Sequence, residues 1–181
     1  MLRGTSAPFE NRIYFTRYHD WAAGVRTYEL YRRKDETSTF ELLNSITDTI
    51  YVDKRLDLTG GNFTYKIKAI ENNLGVGEVS WSNEITLIQL PLVYIPNAFT
   101  PNGDGLNDTW KPTVVFVKDY TLYVFNRWGQ KVFESGDETQ TWDGTFKGND
   151  CQMGTYLYKL KYSGYDSNDV IQKAGSVNLV R

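Results

Sequence analysis

The sequence predicts an all-β protein arranged as two β-sandwiches in tandem, and three observations lead there. Apolar residues recur at alternate positions, aromatic side chains are abundant, and no segment carries a capped helical stripe. The clearest alternation is Phe63-Thr64-Tyr65-Lys66-Ile67-Lys68-Ala69, where Phe63, Tyr65, Ile67 and Ala69 share one face. Thr64, Lys66 and Lys68 take the other, the mark of a half-buried strand. Thr155 to Ser163 repeats it, with Tyr156, Tyr158, Leu160 and Tyr162 inward and Lys159 and Lys161 outward. Thirteen Tyr, 9 Phe and 5 Trp against 2 Met suit pleated surfaces better than helices. Val114 to Val117 is too short and too β-branched for a helix.

Before the middle of the chain, strands are expected near 11–18, 26–33, 38–44, 49–53, 62–71 and 79–88. After it they are expected near 93–98, 110–117, 119–126, 130–135, 154–163 and 169–180. The boundary falls at Ile88-Gln89-Leu90-Pro91-Leu92, because Pro91 cannot donate to a ladder. That gives one domain over 1–90 and a second over 91–181. Short strands punctuated by Gly, Asn and Asp at this spacing indicate sandwiches.

Bulk properties narrow the function. A net charge of −2 with mixed signs predicts no pull toward nucleic acid or anionic lipid. Arg32-Arg33-Lys34 is followed by Asp35-Glu36 and reads as a solvated turn. The single Cys151 excludes an internal disulfide and a multi-cysteine zinc site. No stretch is long and apolar enough to span a bilayer as a helix.

The first half resembles a fibronectin type III module. Trp21, Tyr28-Glu29-Leu30-Tyr31-Arg32, Tyr51-Val52-Asp53, Phe63 to Ala69, Gly75, Gly77 and Ser80-Trp81-Ser82-Asn83 carry that likeness. Residues 1–10 match poorly, so the first strand is expected to be truncated or replaced, leaving an open edge. Fold alone assigns such a module no chemistry.

In the second half, Ile95-Pro96-Asn97-Ala98-Phe99-Thr100-Pro101-Asn102-Gly103-Asp104-Gly105-Leu106-Asn107-Asp108 is an apolar strand running into a tight, oxygen-rich turn. Further blocks are Leu122 to Phe133, Thr141-Trp142-Asp143-Gly144-Thr145, Gly148, Gly154 to Tyr158, and Ala174 to Val180. Together they resemble the type B C-terminal sorting domain of type IX secretion cargo, the gliding motility-associated C-terminal domain. Asp150-Cys151-Gln152-Met153 departs from the proline-containing turn that the family more often has there. The resemblance implies an immunoglobulin-like sandwich at the C-terminus of a large exported protein. Residues 1–10 lack the apolar core of a signal peptide, so the chain is expected to be the tail of a longer one.

Each block also has its own physical reading. Asn126 to Gln130 looks like a hairpin tip with Gly129 at positive φ. Trp128 there is either a lid over the sandwich end or an exposed recognition residue, and the lid is the preferred reading. Trp142 reads as core, and Asp143 as an acceptor of local backbone N–H groups. Val177 and Leu179 would pair into a sheet, so losing the last strand should unfold the domain.

The 100–108 turn invites a calcium reading. Against a DxDxDG loop, Asn102, Asp104, the Leu106 carbonyl and Asp108 fall at alternate ligand positions, and Gly105 at the turn glycine. Thr100 stands where an acid would open such a loop and Lys111 where one would close it. The alternative is an Asx-rich turn held by its own backbone bonds without metal. Catalysis finds little support: the only histidine, His19, lies in the other half from Cys151, and Glu134, Asp137, Glu138 and Asp150 read as solvated loop charges.

The leading reading is therefore a non-enzymatic sorting and surface-attachment domain behind a fibronectin-like spacer, in a secreted or cell-surface protein. The resemblance implies the type IX apparatus and a porin-like outer-membrane barrel as partners, with no nucleic acid and no membrane span. Phe99, Asn102 and Asp104 of the turn, with Arg127, Trp128 and Gly129, are the expected recognition surface. The alternative is a calcium-ordered carbohydrate- or protein-binding module of an adhesin, its aromatic platform formed by Trp110, Trp128 and Trp142. A purely structural stalk is the third.

Overall fold

The computed structural model describes residues 1–73, 75 and 77–181. The chain divides into two compact units, Met1–Leu90 and Pro91–Arg181. All regular structure among the described residues is β.

The first unit contains β1 (Leu2–Ala7), β2 (Glu10–Phe15), β3 (Val25–Arg33), β4 (Glu41–Ile46), β5 (Ile50–Asp53), β6 (Asn62–Glu71), β7 (Val79–Trp81) and β8 (Ile85–Ile88). One sheet runs β1-β2-β5; the other runs β4-β3-β6-β7, with β8 also on β6. The two inner faces form a common core. Ile13 and Phe15 of one sheet and Leu30, Phe63, Tyr65 and Ile67 of the other are buried. The Phe15 and Tyr28 rings meet edge-on at 4.8 Å. This is the expected fibronectin type III-like sandwich.

The truncation of the first strand expected from residues 1–10 is not found, and the edge of the sheet is β1 itself. These residues form β1, paired with β2 from Leu2↔Phe15 to Ala7↔Glu10. Leu2 is fully buried, and its amide donates to Asn83 Oδ1 at 2.8 Å. Only one large apolar side chain is needed because Gly4 brings the backbone against Leu87 and Ile85.

A polar network lies inside this unit. Tyr65 Oη donates to Asp53 Oδ2 at 2.9 Å, and Asn11 Nδ2 donates to Tyr65 Oη at 2.9 Å. Arg32 Nη1 reaches the same Asp53 oxygen at 2.8 Å, and Gln89 Nε2 donates to Asn11 Oδ1 at 2.8 Å. A charge out of water survives only when paired and hydrogen-bonded. The Asp53 side chain is wholly buried, and Arg32 is its counter-ion.

The second unit contains β9 (Leu92–Tyr94), β10 (Ala98–Phe99), β11 (Thr113–Val115), β12 (Asp119–Phe125), β13 (Lys131–Ser135), β14 (Thr145–Phe146), β15 (Asn149–Asp150), β16 (Gly154–Ser163) and β17 (Ile171–Leu179). Its main sheet is β10-β17-β16-β12-β13, with β10 parallel to β17. Facing it are short pieces: the β9–β11 and β14–β15 pairs and a bridge between Trp110 and Trp142. The expected strand 93–98 is broken at Ile95-Pro96-Asn97, where the chain passes from pairing with β11 to pairing with β17. The expected strand 110–117 keeps only Thr113–Val115, and β14 and β15 were not foreseen. Phe99, Trp110, Leu122, Val124, Trp142, Leu160, Val177 and Leu179 form the centre of one core.

Two outcomes follow from this packing. Arg32→Met strands the Asp53 carboxylate in the first core, and chemical denaturation should show a loss of about 3–5 kcal/mol. Gly144 has φ +79°, and a Cβ there would lie 3.0 Å from Leu179 Cδ1 and 3.1 Å from Pro101 Cγ. Gly144→Ala should therefore destabilise the second unit by about 1–3 kcal/mol in the same measurement.

Candidate functional site

The turn after β10 is held by its own side chains. Asp108 Oδ1 accepts the Asn102 amide at 3.0 Å and the Gly103 amide at 2.7 Å, and Oδ2 accepts the Gly105 amide at 2.7 Å. Asn102 Oδ1 accepts the Asp104 amide at 3.1 Å, and Asp104 Oδ1 accepts the Leu106 amide at 2.8 Å. Gly103 and Gly105, at φ +79° and +86°, permit the winding that aims these amides inward. The Gly103 amide, then those of Gly105 and Asn102, hold the Asp108 carboxyl below its ordinary range.

That polarity answers the calcium question for the loop as folded. A cation needs oxygens converging on it, whereas here N–H groups converge on a carboxylate. Each proposed side-chain ligand, Asn102, Asp104 and Asp108, already accepts backbone N–H bonds, and the Leu106 carbonyl faces the Thr100 hydroxyl at 3.4 Å. Among the described residues no cluster of three or more His, Cys, Asp and Glu is placed to hold a metal. The four do not fit calcium in this geometry.

Of the six expected recognition residues, Phe99 is the clear correction. It is 2% exposed, its ring 5.2 Å from that of Trp142, so it is core and out of reach of a partner. Its place in β10 explains this, since alternation turns Phe99 inward while Ala98 stays outside. Asn102 and Asp104 are exposed on the turn.

Arg127, Trp128 and Gly129 form the tip of the β12–β13 hairpin. Asn126 Oδ1 caps it, accepting the Trp128 amide at 3.1 Å and the Gln130 amide at 3.0 Å. Gly129 takes φ +77°, as its position required. Trp128 is 69% exposed, which corrects the lid reading: a ring on so short a tip cannot fold back over the core. The Arg127 guanidinium lies 4.2 Å from the ring centre instead. With Gln152, Met153, Gly154, Thr155 and Tyr156, these residues line a shallow groove of about 90 Å³. None of residues 99–108 lines it. Met153 was missed because its segment was read only as a departure from the family turn.

The aromatic platform of the binding-module reading is also corrected. Trp110 and Trp142 are each 1% exposed, so only Trp128 is available to a ligand. The other chemically notable groups are quiet. Burial pushes the Cys151 thiol up, which disfavours the reactive thiolate. His19 lines a groove of about 430 Å³ in the first unit. There the Ser82 hydroxyl donates to Asn83 O at 2.7 Å and accepts the Ile67 amide, a turn-forming role.

Three measurements test the turn. Asp108→Ala should speed hydrogen exchange at the Gly103 and Gly105 amides while exchange along β16 stays unchanged. Because the folded pKa is lowered, the carboxylate's contribution is complete above the ordinary value of 3.8 and is lost as pH falls below it. The wild-type amides should therefore lose protection only in acid below that value. Millimolar calcium should leave the melting temperature unchanged; a rise reversed by chelator would show that the loop rewinds around a cation.

No curated protein matches the chain. Among solved structures it is similar to the crystal structure of the chicken CNTN1 FN1-FN3 domains, 11% identical with a TM-score of 0.40. That likeness covers 96% of this chain, which spans 65% of the length of that one. So low a score carries no argument, and the sandwich assignment rests on strand order and core. Residues 93–179, nearly the whole of the second unit, match the family described as CHU_C Type IX secretion signal domain, and the fibronectin type III-like module precedes that match.

Proposed function

We propose that the second unit is the address and anchor of an exported protein: a folded sandwich read by the type IX secretion apparatus and then held at the cell surface. The first unit serves as a spacer between that address and whatever cargo it accompanies. The observation that carries this reading is the family match across 93–179, nearly the whole of the second unit. The burial of the motif's aromatic residues supports it: Phe99, Trp110 and Trp142 are spent on the core. A motif whose members are structural advertises a shape, not a reaction, so the role proposed is non-catalytic.

The partner that suits this shape is an outer-membrane barrel of the porin-like kind, with the exposed hairpin tip as one contact. Arg and Trp are the side chains that most often anchor an interface. Arg127 and Trp128 stand at the tip with a groove behind them.

The test is a fluorescent reporter carrying residues 92–181 at its C-terminus and a signal peptide at its N-terminus. Surface appearance only in cells with an intact type IX system is the expected result. Equal export of an unrelated sandwich in the same place, or of this one without the system, would end the reading. Trp128→Ala should reduce surface signal without changing the melting temperature, since the ring contributes almost nothing to the core.

A further inference from the structure

The main sheet of the second unit has one long edge with no strand paired to it among the described residues. β10 pairs with β17 only at Ala98↔Asn178 and Phe99↔Leu179. Upstream of Asn97 the chain turns at Pro96, and β9 pairs with β11 instead. Residues 171–177 of β17 are therefore bonded to β16 on one side only.

Which groups are free follows from alternation. The amides of Asn178 and Val180 point away from β16, to Asn97 O at 2.9 Å and Phe99 O at 3.1 Å. The β16–β17 ladder runs without a bulge, so the amides of Gln172, Ala174 and Ser176 point the same way. No acceptor meets them among the described residues, and all three residues are exposed. Three donors and their three carbonyls thus face solvent in a row, ready to template another strand.

Charge decides what kind of strand. Val177 is buried, so Val177, Gly175, Lys173 and Ile171 share the core-side face of β17. Lys173 is exposed there and has no ion-pair partner among the described residues. A lysine on the inner face of an edge strand discourages indiscriminate pairing. Two copies of β17 would set lysine near lysine, which disfavours self-association. Lys159 and Lys161 of β16, on the opposite face, are likewise without ion pairs among the described residues. The acids nearest in sequence, Asp166 and Asp169, fall in the turn between β16 and β17, beyond the free donors.

We infer that the free edge of β17 is a strand-addition site that takes an extended segment bearing a carboxylate opposite Lys173. Main-chain bonds to Gln172, Ala174 and Ser176 supply affinity, and the lysine supplies selection. This deepens the sorting reading, on which it rests for the partner's identity: an acidic extended segment of the export machinery.

The test uses the full chain and a synthetic seven-residue peptide of alternating Thr and Val with a central Glu. On titration, hydrogen exchange should slow at the amides of Gln172, Ala174 and Ser176 and remain unchanged along the β13 edge. Replacing the central Glu by Lys should weaken binding roughly five-fold, and Lys173→Glu should invert that preference. Ala174→Pro removes the central donor but no bond to β16, so it should abolish peptide binding while the melting temperature holds. Equal protection at β13, charge-independent binding, or concentration-dependent protection without peptide would overturn the inference. Carrying Lys173→Glu and Ala174→Pro in the export reporter separates the two claims. Loss of export only in the variants supports both. Undiminished export of the variants removes the edge as the site read by the machinery, and no export of the wild type removes the sorting reading, leaving the peptide titration to decide the edge.

Discussion

The second unit depends on one closure. Trp110 and Trp142 exchange backbone hydrogen bonds, each amide donating to the other's carbonyl at 2.8 Å. Their indoles are buried, and each indole N–H is satisfied: Trp110 Nε1 donates to Pro96 O at 2.8 Å and Trp142 Nε1 to Thr145 O at 3.0 Å. The face opposite the five-stranded sheet has no long strand, so this pair does the work that a second sheet would otherwise do. Trp142 meets Phe99 at 5.2 Å and Tyr156 at 4.9 Å, and Trp110 meets Tyr158 at 5.6 Å. Two large aromatics fill the volume that a longer strand's side chains would fill, which keeps the interior close-packed.

This closure explains why the motif blocks lie where they do. Pro96 lends its carbonyl to Trp110, Thr145 lends its carbonyl to Trp142, and Gly144 yields room to Leu179. Asp143 Oδ1 accepts the Thr145 amide at 2.9 Å and fixes the turn that presents that carbonyl. Residues far apart in the sequence thus converge on one cluster near the end of β17. The blocks are thus parts of one folded cluster and not of one linear stretch. Removing β17 takes Val177 and Leu179 from the core together with the edge that pairs with β10.

How much of this was legible in the sequence depended on whether a residue's environment was set by its neighbours in the chain. β6 and β16 are long and their apolar residues alternate, so their core faces could be read directly, although Thr64, expected on the outer face of β6, is buried. β1 was not legible, because Leu2 is its only large apolar side chain and its packing rests on Gly4. Phe99 read as part of a loop because only two residues of strand precede the turn, yet parity within that pair settles its burial. Trp128 failed in the other direction: a large ring suggests a core, but hairpin geometry holds it outside. The Trp110–Trp142 bridge left no periodic trace, since each side contributes a single residue. The oxygen-rich turn suited a metal loop and an Asx turn equally by composition, and only the direction of its amides separates them.

The first unit is organised by its polar core. An all-apolar interior would be at least as stable as one holding Asp53, Arg32, Tyr65 and Asn11, because desolvation offsets much of the gain from pairing. What such a network supplies is a unique arrangement: each member's partner is a particular atom on a particular strand. It joins β2, β3, β5 and β6, and through Gln89 it reaches the segment that leads into the second unit. The Gln89 amide also donates to Gly61 O at 2.9 Å, so the chain is fixed on the first unit's side up to that residue. Apolar packing alone would not fix that segment at a particular atom.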